Sequence, residues 1–330
     1  DSWMTIGDCV SPLSLNELRA AGARIAGLAR RTDVLTSRRL DDWLGCRAHL
    51  KCENFQRTGA FKFRGACNAV LSLDEERAAR GVVTHSSGNH GAALAEAARL
   101  RGIPAWVVMP SNAPPVKRSA VESYGATVVE CRPTLNDRET TAAQVIEQTG
   151  ATLIHPYDDL RIIAGQSTAA LELHEQVPQL DAVLCPVGGG GLAAGTVLAT
   201  KSVAPECRVI LGEPAAADDA FLSLSAGRIV PADNPDTIAD GMKTSLGALT
   251  FPILQSGVEQ ILTVSEAEIV EALRFVWTRL KIVIEPSSAV PVAAVRKAPD
   301  TFRGQRVGII LSGGNVDLDQ LPQILRGGGA

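Results

Sequence analysis

From residue 81 onward, short runs rich in Val, Ile, Leu and Thr alternate with Ala-, Leu-, Glu- and Arg-rich stretches of helical character. The first series of runs is GVVTHS (81–86), AWVVMP (105–110), ATVVEC (126–131) and ATLIHP (151–156). The second is AVLCPV (182–187), RVILGEP (208–214), QILTVS (260–265) and VGIILSGG (307–314). The helix-like segments AALAEAARLRG and VKRSAVESYGA lie between members of the first series. Strands that alternate with helices argue for parallel sheets covered on both faces. Upstream, SLNELRAAGARIAGL (14–28) opens on a capping box, Ser14 three residues before Glu17, and predicts a surface helix. The expected fold class is α/β, with parallel-rich twisted sheets, as one large domain or two linked ones over 330 residues.

Composition removes several functions. A net charge of -4 and an aromatic fraction of 4% leave neither a basic face nor stacking platforms for nucleic acid. No apolar run approaches the ~20 residues of a membrane span. The opening DSWMTIGDCV lacks the charged-then-apolar order of a secretion signal. Seven scattered cysteines without a CxxC pair read as reduced thiols of a cytoplasmic protein. The tail RGGGA (326–330) is expected to be loose.

In parallel α/β folds, ligands bind beyond the C-terminal ends of the strands. Three ends deliver small or amide-bearing residues: SSGNHG (86–91), GGGGL (188–192) and SGGN (312–315). Four consecutive glycines lose much conformational entropy on folding. They fit a strand-to-helix turn whose bare N–H groups and helix dipole bind phosphate. A flexible linker is the other reading, but linkers are longer and mixed with Ser or charged residues. The pattern matches neither GxGxxG with an acidic ribose reader nor the Walker motif, which disfavours a dinucleotide or ATP main site. One lysine, Lys62, stands behind the Thr-Gly turn of KCENFQRTGAFKFRGA (51–66), between Phe61 and Phe63.

The set FQRTGAFKFRGA, SSGNHG, PVGGGGL and LSGGN resembles the fold-type-II pyridoxal-phosphate (PLP) enzymes. More narrowly it is similar to the serine/threonine dehydratase and serine racemase group, which includes 3-hydroxyaspartate dehydratases. The similarity runs from about Asp33 onward and takes in HPYDD (155–159), IADGMKTSLG (238–247) and IEPSSA (284–289). The resemblance implies a two-domain, tryptophan synthase β-like fold, with a large domain at 1–80 and 160–330 and a small domain at 81–159. It implies that Lys62 forms the Schiff base, with Phe61 beside it, and that Asn89 bonds the cofactor's ring oxygen. Gly188, Gly189, Gly190, Gly191 and Leu192 would hold the phosphate, and Ser312 would meet the ring nitrogen. A hydroxyl there cannot force protonation as an aspartate would, which suits β-elimination more than transamination. Ser86, Ser87, Asn89 and His90 form the loop expected to hold the substrate α-carboxylate.

The implied reaction is dehydration and deamination of L-serine, L-threonine or 3-hydroxyaspartate to a 2-keto acid and ammonia. Lys62 would take the Cα proton on one face; Ser87 on the other would allow racemisation. Arg138, in LNDRET, matches a position where hydroxyaspartate-acting members carry Arg and could pair a second carboxylate; an exposed helix arginine is the alternative. Thr244 matches a small hydroxyl at the pocket rim. Glu213, Ala217 (by its carbonyl) and Asp219, in EPAAADD, match a divalent-cation site suited to Mg, Mn or Ca. A plain helix start would also explain those acids. A homodimer acting on a small amino acid is expected.

Departures from the group are Asp33 for Pro, Arg38 for a small residue, Arg57 for Lys and Ser167 for Gly. Those at 38 and 57 make ATP activation doubtful. The chain ends soon after LSGGNVDL, so a C-terminal regulatory domain is not expected. The rival readings are a β-replacement synthase and a nonenzymatic phosphate-metabolite binding protein.

Overall fold

The computed structural model describes residues 4–6, 9–86 and 88–326. Ser87 and residues 327–330 of the tail lie outside the described residues. The strands are β1 (Met4–Ile6), β2 (Cys9–Ser11), β3 (Val34–Leu35), β4 (Arg47–Cys52), β5 (Val82–His85) and β6 (Ala105–Pro110). They continue with β7 (Thr127–Cys131), β8 (Thr152–Leu153), β9 (Ala182–Pro186), β10 (Arg208–Pro214), β11 (Gln260–Val264) and β12 (Arg306–Leu311). All members of both sequence series are strands.

β1 and β2 pair antiparallel. A six-stranded sheet has the order β11-β10-β9-β12-β4-β3, parallel except for the edge strand β3. A four-stranded sheet, β7-β6-β5-β8, is parallel throughout. It draws only on residues 82–153. Both sheets are buried on two faces, so successive side chains of one strand enter different cores. Val183 and Cys185 of β9 join Leu18, Ile163 and Val197, while Ala182 and Leu184 join Leu273, Val292 and Phe302. In the smaller sheet, Val82 and Val107 pack with Phe63 and Leu94; Val83 and Val108 pack with Ala142 and Val145. Among the described residues no helix is long and apolar enough to cross a membrane.

Three helices meet backbone to backbone: Lys62–Leu71, Leu160–Gln176 and Gly191–Val203. A Cβ on Gly165 would lie 2.5 Å from the Gly65 Cα, and one on Gly195 would lie 2.6 Å from the Ser167 amide nitrogen. Glycine at 195 leaves the room that Ser167 occupies. The Ser167 hydroxyl is satisfied inside its own helix, donating to the Ala164 carbonyl at 2.6 Å.

Two local readings change. The first helix keeps its capping box but ends at Ile25, because Ala26 is extended and Gly27 has φ +83°. β4 was not among the expected strands, since Arg47, His49 and Lys51 mask its alternation with Ala48, Leu50 and Cys52. Lys51 is fully buried, yet its amine is matched by Glu172 at 2.7 Å and the Thr32 carbonyl at 2.7 Å.

Candidate active site

The segment before Lys62 runs antiparallel to the end of β12. The Phe61 amide donates to the Ser312 carbonyl at 2.9 Å, and the Gly314 amide donates to the Gly59 carbonyl at 2.9 Å. A bridge between Ala60 and Gly313 lies within this pairing. Lys62, the first residue of its helix, is thereby set beside Ser312. Its amine donates to the Pro156 carbonyl at 2.8 Å and lies 5.3 Å from the centre of the Phe61 ring. Lys62 is half-buried. Desolvation pushes its pKa down to about 8, against an opposing pull from the Glu285 carboxylate.

The four glycines link β9 to the helix Gly191–Val203. Gly190 has φ +93°, a left-handed turn that side chains rarely adopt. The first bond of the helix ladder runs from the Ala194 amide to the Gly190 carbonyl at 2.7 Å. The amides before it therefore precede the ladder and face outward from a helix N-terminus, as anion binding requires. Side chains would not fit. A Cβ at Gly189 would overlap the Tyr157 ring, and one at Gly190 would lie 2.8 Å from Thr250. Leu192 anchors the following turn in the core. Thr244 is exposed beside the loop, its Oγ1 being 3.4 Å from where a Gly188 Cβ would sit. Thr250 Oγ1 donates to the Gly189 carbonyl at 2.8 Å.

At the end of β5, Ser86 Oγ accepts the Gly88 amide at 3.3 Å. Asn89 opens the next helix; its Nδ2 contacts both Glu285 oxygens at 3.1 Å, and its Oδ1 accepts from Asn315 at 2.9 Å. His90 is buried, with Nε2 3.3 Å from the Ile154 carbonyl, and burial holds its pKa well below the usual value. Ser312 is buried with its Oγ 3.0 Å from Ser288 Oγ. Ser288 Oγ also lies 2.7 Å from the Gly313 carbonyl and accepts the Gly313 amide at 2.7 Å. Arg138 lies in the first turn of the helix Leu135–Thr149; burial pushes His85 down with Arg138 adding to it, and burial pushes Cys131 up against the opposing charge of Arg138. Its Nε is buried without a hydrogen-bond partner.

Glu213, next to last in β10, accepts the Ala220 and Phe221 amides, each at 2.9 Å. Glu213, Ala217 and Asp219 are all buried. Both Asp219 carboxylate oxygens lack a hydrogen bond of ordinary geometry. Burial pushes Glu213 up to about 8 and Asp219 up to about 7. A buried, orphaned carboxylate beside a second one fits a divalent cation, although no cluster of three His, Cys, Asp or Glu side chains exists among the described residues.

Several residues at the site had no assigned role in the sequence. Tyr157 lies against Gly189 and Gly191. Asp158 accepts the Ala248 and Leu249 amides at 3.1 and 2.8 Å. Glu285 holds Asn89. HPYDD and IEPSSA pointed to three of these positions; Thr250 carried no signal.

A desolvated amine beside a glycine-lined helix N-terminus and a buried hydroxyl is the donor set for a carbonyl cofactor bearing a phosphate. The chain belongs to the pyridoxal-phosphate dependent enzyme family, whose profile matches residues 25–313. It is 52% identical over 306 residues to the beta-hydroxyaspartate dehydratase of Paracoccus denitrificans, covering 93% of this chain and 97% of that protein. It is 48% identical over 320 residues to the serine racemase of Dictyostelium discoideum, covering 96% and 99%. The solved threonine deaminase of T.th. superposes with a TM-score of 0.89 at 47% identity, covering 93% of this chain and 99% of that one. The α/β fold is that of the type-II PLP enzymes.

Burial pushes Glu285 up to about 7, aided by Asp240 and opposed by hydrogen bonds from Asn89 and Asn315. The folded state therefore holds this proton above the pH at which the unfolded chain, near the ordinary value of 4.5, releases it. Stability from this group is full at low pH and falls as pH rises from about 4.5 to about 7. Glu285→Gln should shallow that fall, read as urea midpoints between pH 4.5 and 8.

Proposed function

We propose that this PLP enzyme dehydrates and deaminates a small β-hydroxy amino acid to a 2-keto acid and ammonia, with 3-hydroxyaspartate among its substrates beside serine and threonine. The observation that carries the reading is the Lys62 amine, held near pKa 8 where the β12 end, the glycine turn and the 155–159 segment meet. The relatives add support, since one is a beta-hydroxyaspartate dehydratase.

PLP, when bound, draws electrons from the substrate's Cα and so acidifies its Cα–H bond. Lys62 would hold its carbonyl carbon, with Phe61 beside it. The amides of Gly188, Gly189, Gly190, Gly191 and Leu192 would hold its phosphate, Asn89 its ring oxygen and Ser312 its ring nitrogen. Lys62 is the base: its lowered pKa leaves a working fraction of free amine near neutral pH to take the Cα proton. Ser86, Ser87, Asn89 and His90 would hold the substrate α-carboxylate, which the dipole at the start of the helix Asn89–Arg101 favours. Arg138 would pair a second carboxylate, for which its unpartnered Nε is a free donor. Thr244 stands at the rim. Residues 81–159 act as a small domain closing on the rest, in a cytoplasmic homodimer. Racemisation through Lys62 and Ser87 is the second reading, favoured by the 48% identity to a serine racemase.

Glu213, the Ala217 carbonyl and Asp219 would hold Mg, Mn or Ca away from the chemistry. The ligand acids must be deprotonated to bind, and both have raised pKa values. Millimolar calcium or magnesium should therefore raise Tm by about 5 °C at pH 8, by less at pH 6, and not at all in Asp219→Asn.

Lys62→Ala should abolish both the bound-cofactor absorbance and ammonia release; retained turnover overturns the proposal. In the native protein, borohydride should fix the cofactor's mass on Lys62. A panel of L-serine, D-serine, L-threonine and the threo and erythro 3-hydroxyaspartates, scored for ammonia and enantiomer, separates elimination from racemisation. Arg138→Ala should lower kcat/KM for 3-hydroxyaspartate about 10- to 100-fold, as loss of a charge-assisted pair implies. Threonine turnover should change by less than about threefold.

A further inference from the structure

One five-residue turn, His155 to Asp159, carries the chain from β8 back to the helix Leu160–Gln176 and meets Lys62, the glycine loop and the segment after Gly247. The Pro156 carbonyl accepts the Lys62 amine at 2.8 Å. The Tyr157 ring fills the space over Gly189, and the Tyr157 Cβ and backbone lie over Gly191. Asp158 holds the amides after Gly247, and Asp159 caps the following helix through the Arg161 amide at 2.8 Å. A single side chain closes the turn. His155 Nδ1 accepts the Asp158 amide at 2.9 Å and the Tyr157 amide at 3.3 Å. A ring nitrogen that accepts carries no proton, so the hydrogen sits on Nε2 and the imidazole is neutral.

We propose that His155 is a positioning residue for Lys62: its Nδ1 closes the turn that aims the Pro156 carbonyl at the lysine amine and keeps that amine in its desolvated place. The proposal rests on the reading of Lys62 as the reactive amine. A lysine that is released when substrate binds needs a fixed acceptor. A carbonyl oxygen orients its N–H bonds without competing for the substrate's proton.

The groups facing His155 keep it neutral. His85, at the end of β5, stands edge-on at 5.6 Å, and the Tyr157 ring at 4.7 Å. Lys62 and His90 face it from two helices, and Asp158 and Asp159 from its own turn. Burial, then His85, push its pKa down to about 4, outweighing the two aspartates. His155 therefore stays a neutral acceptor near neutral pH.

Substitution separates this role from plain packing. Asn places its Oδ1 as many bonds from Cα as His places Nδ1, so His155→Asn restores the acceptor. His155→Gln moves the acceptor one bond further out, and His155→Leu removes it. The measurement is covalent labelling of Lys62 by an amine reagent in the full-length, cofactor-stripped protein from pH 6 to 11, quantified by mass spectrometry. The native chain should give an apparent pKa of about 8. His155→Leu and His155→Gln should raise it by about one unit or more, towards the ordinary lysine value of about 10.4. His155→Asn should stay within about 0.3 units of native. In the holoenzymes, the limb of the kcat–pH profile that reports the lysine should move in the same order. A native labelling pKa in folded His155→Gln or His155→Leu overturns the proposal, as does a shift in His155→Asn equal to theirs. Labelling needs no turnover, so its outcome stands whether or not Lys62 proves to be the base.

Discussion

The guanidinium of Arg64, two residues after Lys62, is fully buried, and the position of the lysine depends on it. It donates to both oxygens of Glu53, at 2.7 and 2.8 Å, and to both of Glu172, at 2.8 Å each. Thr168 Oγ1 and the Arg30 carbonyl, each at 3.1 Å, take further bonds. Lys51 completes the set on Glu172, so two cations meet two anions. Burial alone would discharge these groups, but Arg64 is held charged by Glu53 and Glu172, and Glu53 by Arg64. Such networks add little net stability, because desolvation offsets the attraction; removing one partner costs about 3–5 kcal/mol. Their effect is geometric. This one fixes the Lys62 helix against the end of β4 and against the helix Leu160–Gln176.

With that helix fixed, the glycines set how closely its neighbours approach. Gly65 against Gly165 and Gly195 against Ser167 let three helices touch through their backbones. Rigid packing at such contacts transmits position with little slack. The helix that carries the amine and the helix whose N-terminus ends the glycine loop are both registered against Leu160–Gln176. The 155–159 turn enters that same central helix. Amine, anion cradle and turn are thus located by one element, although they come from distant parts of the sequence.

The sheet architecture was legible because hydrophobic runs with period-two burial on both faces leave few alternatives to parallel strands. The glycine loop and Lys62 stood out for a related reason: each sits where a strand or turn ends, and its residue type there has no better structural explanation; a turn after a strand accounts for a serine at 312 equally well, and only the family resemblance pointed to it. β4 was hidden because its charged positions read as surface, and only the tertiary pairing of Lys51 with Glu172 shows why burial is tolerated. The motifs HPYDD and IEPSSA marked the positions of His155 and Glu285 but not what the two side chains do. Each acts through a bond to a residue far away in sequence or to its own backbone, Glu285 to Asn89 and His155 to the amides two and three residues on. No spacing rule reports such bonds.

The electrostatics of the site share one direction. Lys62, His85, His90 and His155 are pushed down, Tyr157 and Glu285 are pushed up, and burial is the first cause in each case. Every one of these groups is driven towards its uncharged form. A cleft so poor in fixed charge offers an anion dipoles rather than ions: the glycine amides, the start of the helix Gly191–Val203 and the start of the helix Asn89–Arg101. Dipoles fixed by the backbone need no proton exchange when a phosphate or carboxylate arrives. The arriving anion then becomes the dominant local charge and favours the protonated lysine. The same amine, with a pKa of about 8, therefore holds only a fraction of free base near neutral pH before the anion binds and is a stronger proton acceptor afterwards. Burial in the protein lowers its pKa, and a bound anion opposes that lowering by Coulomb attraction at short range.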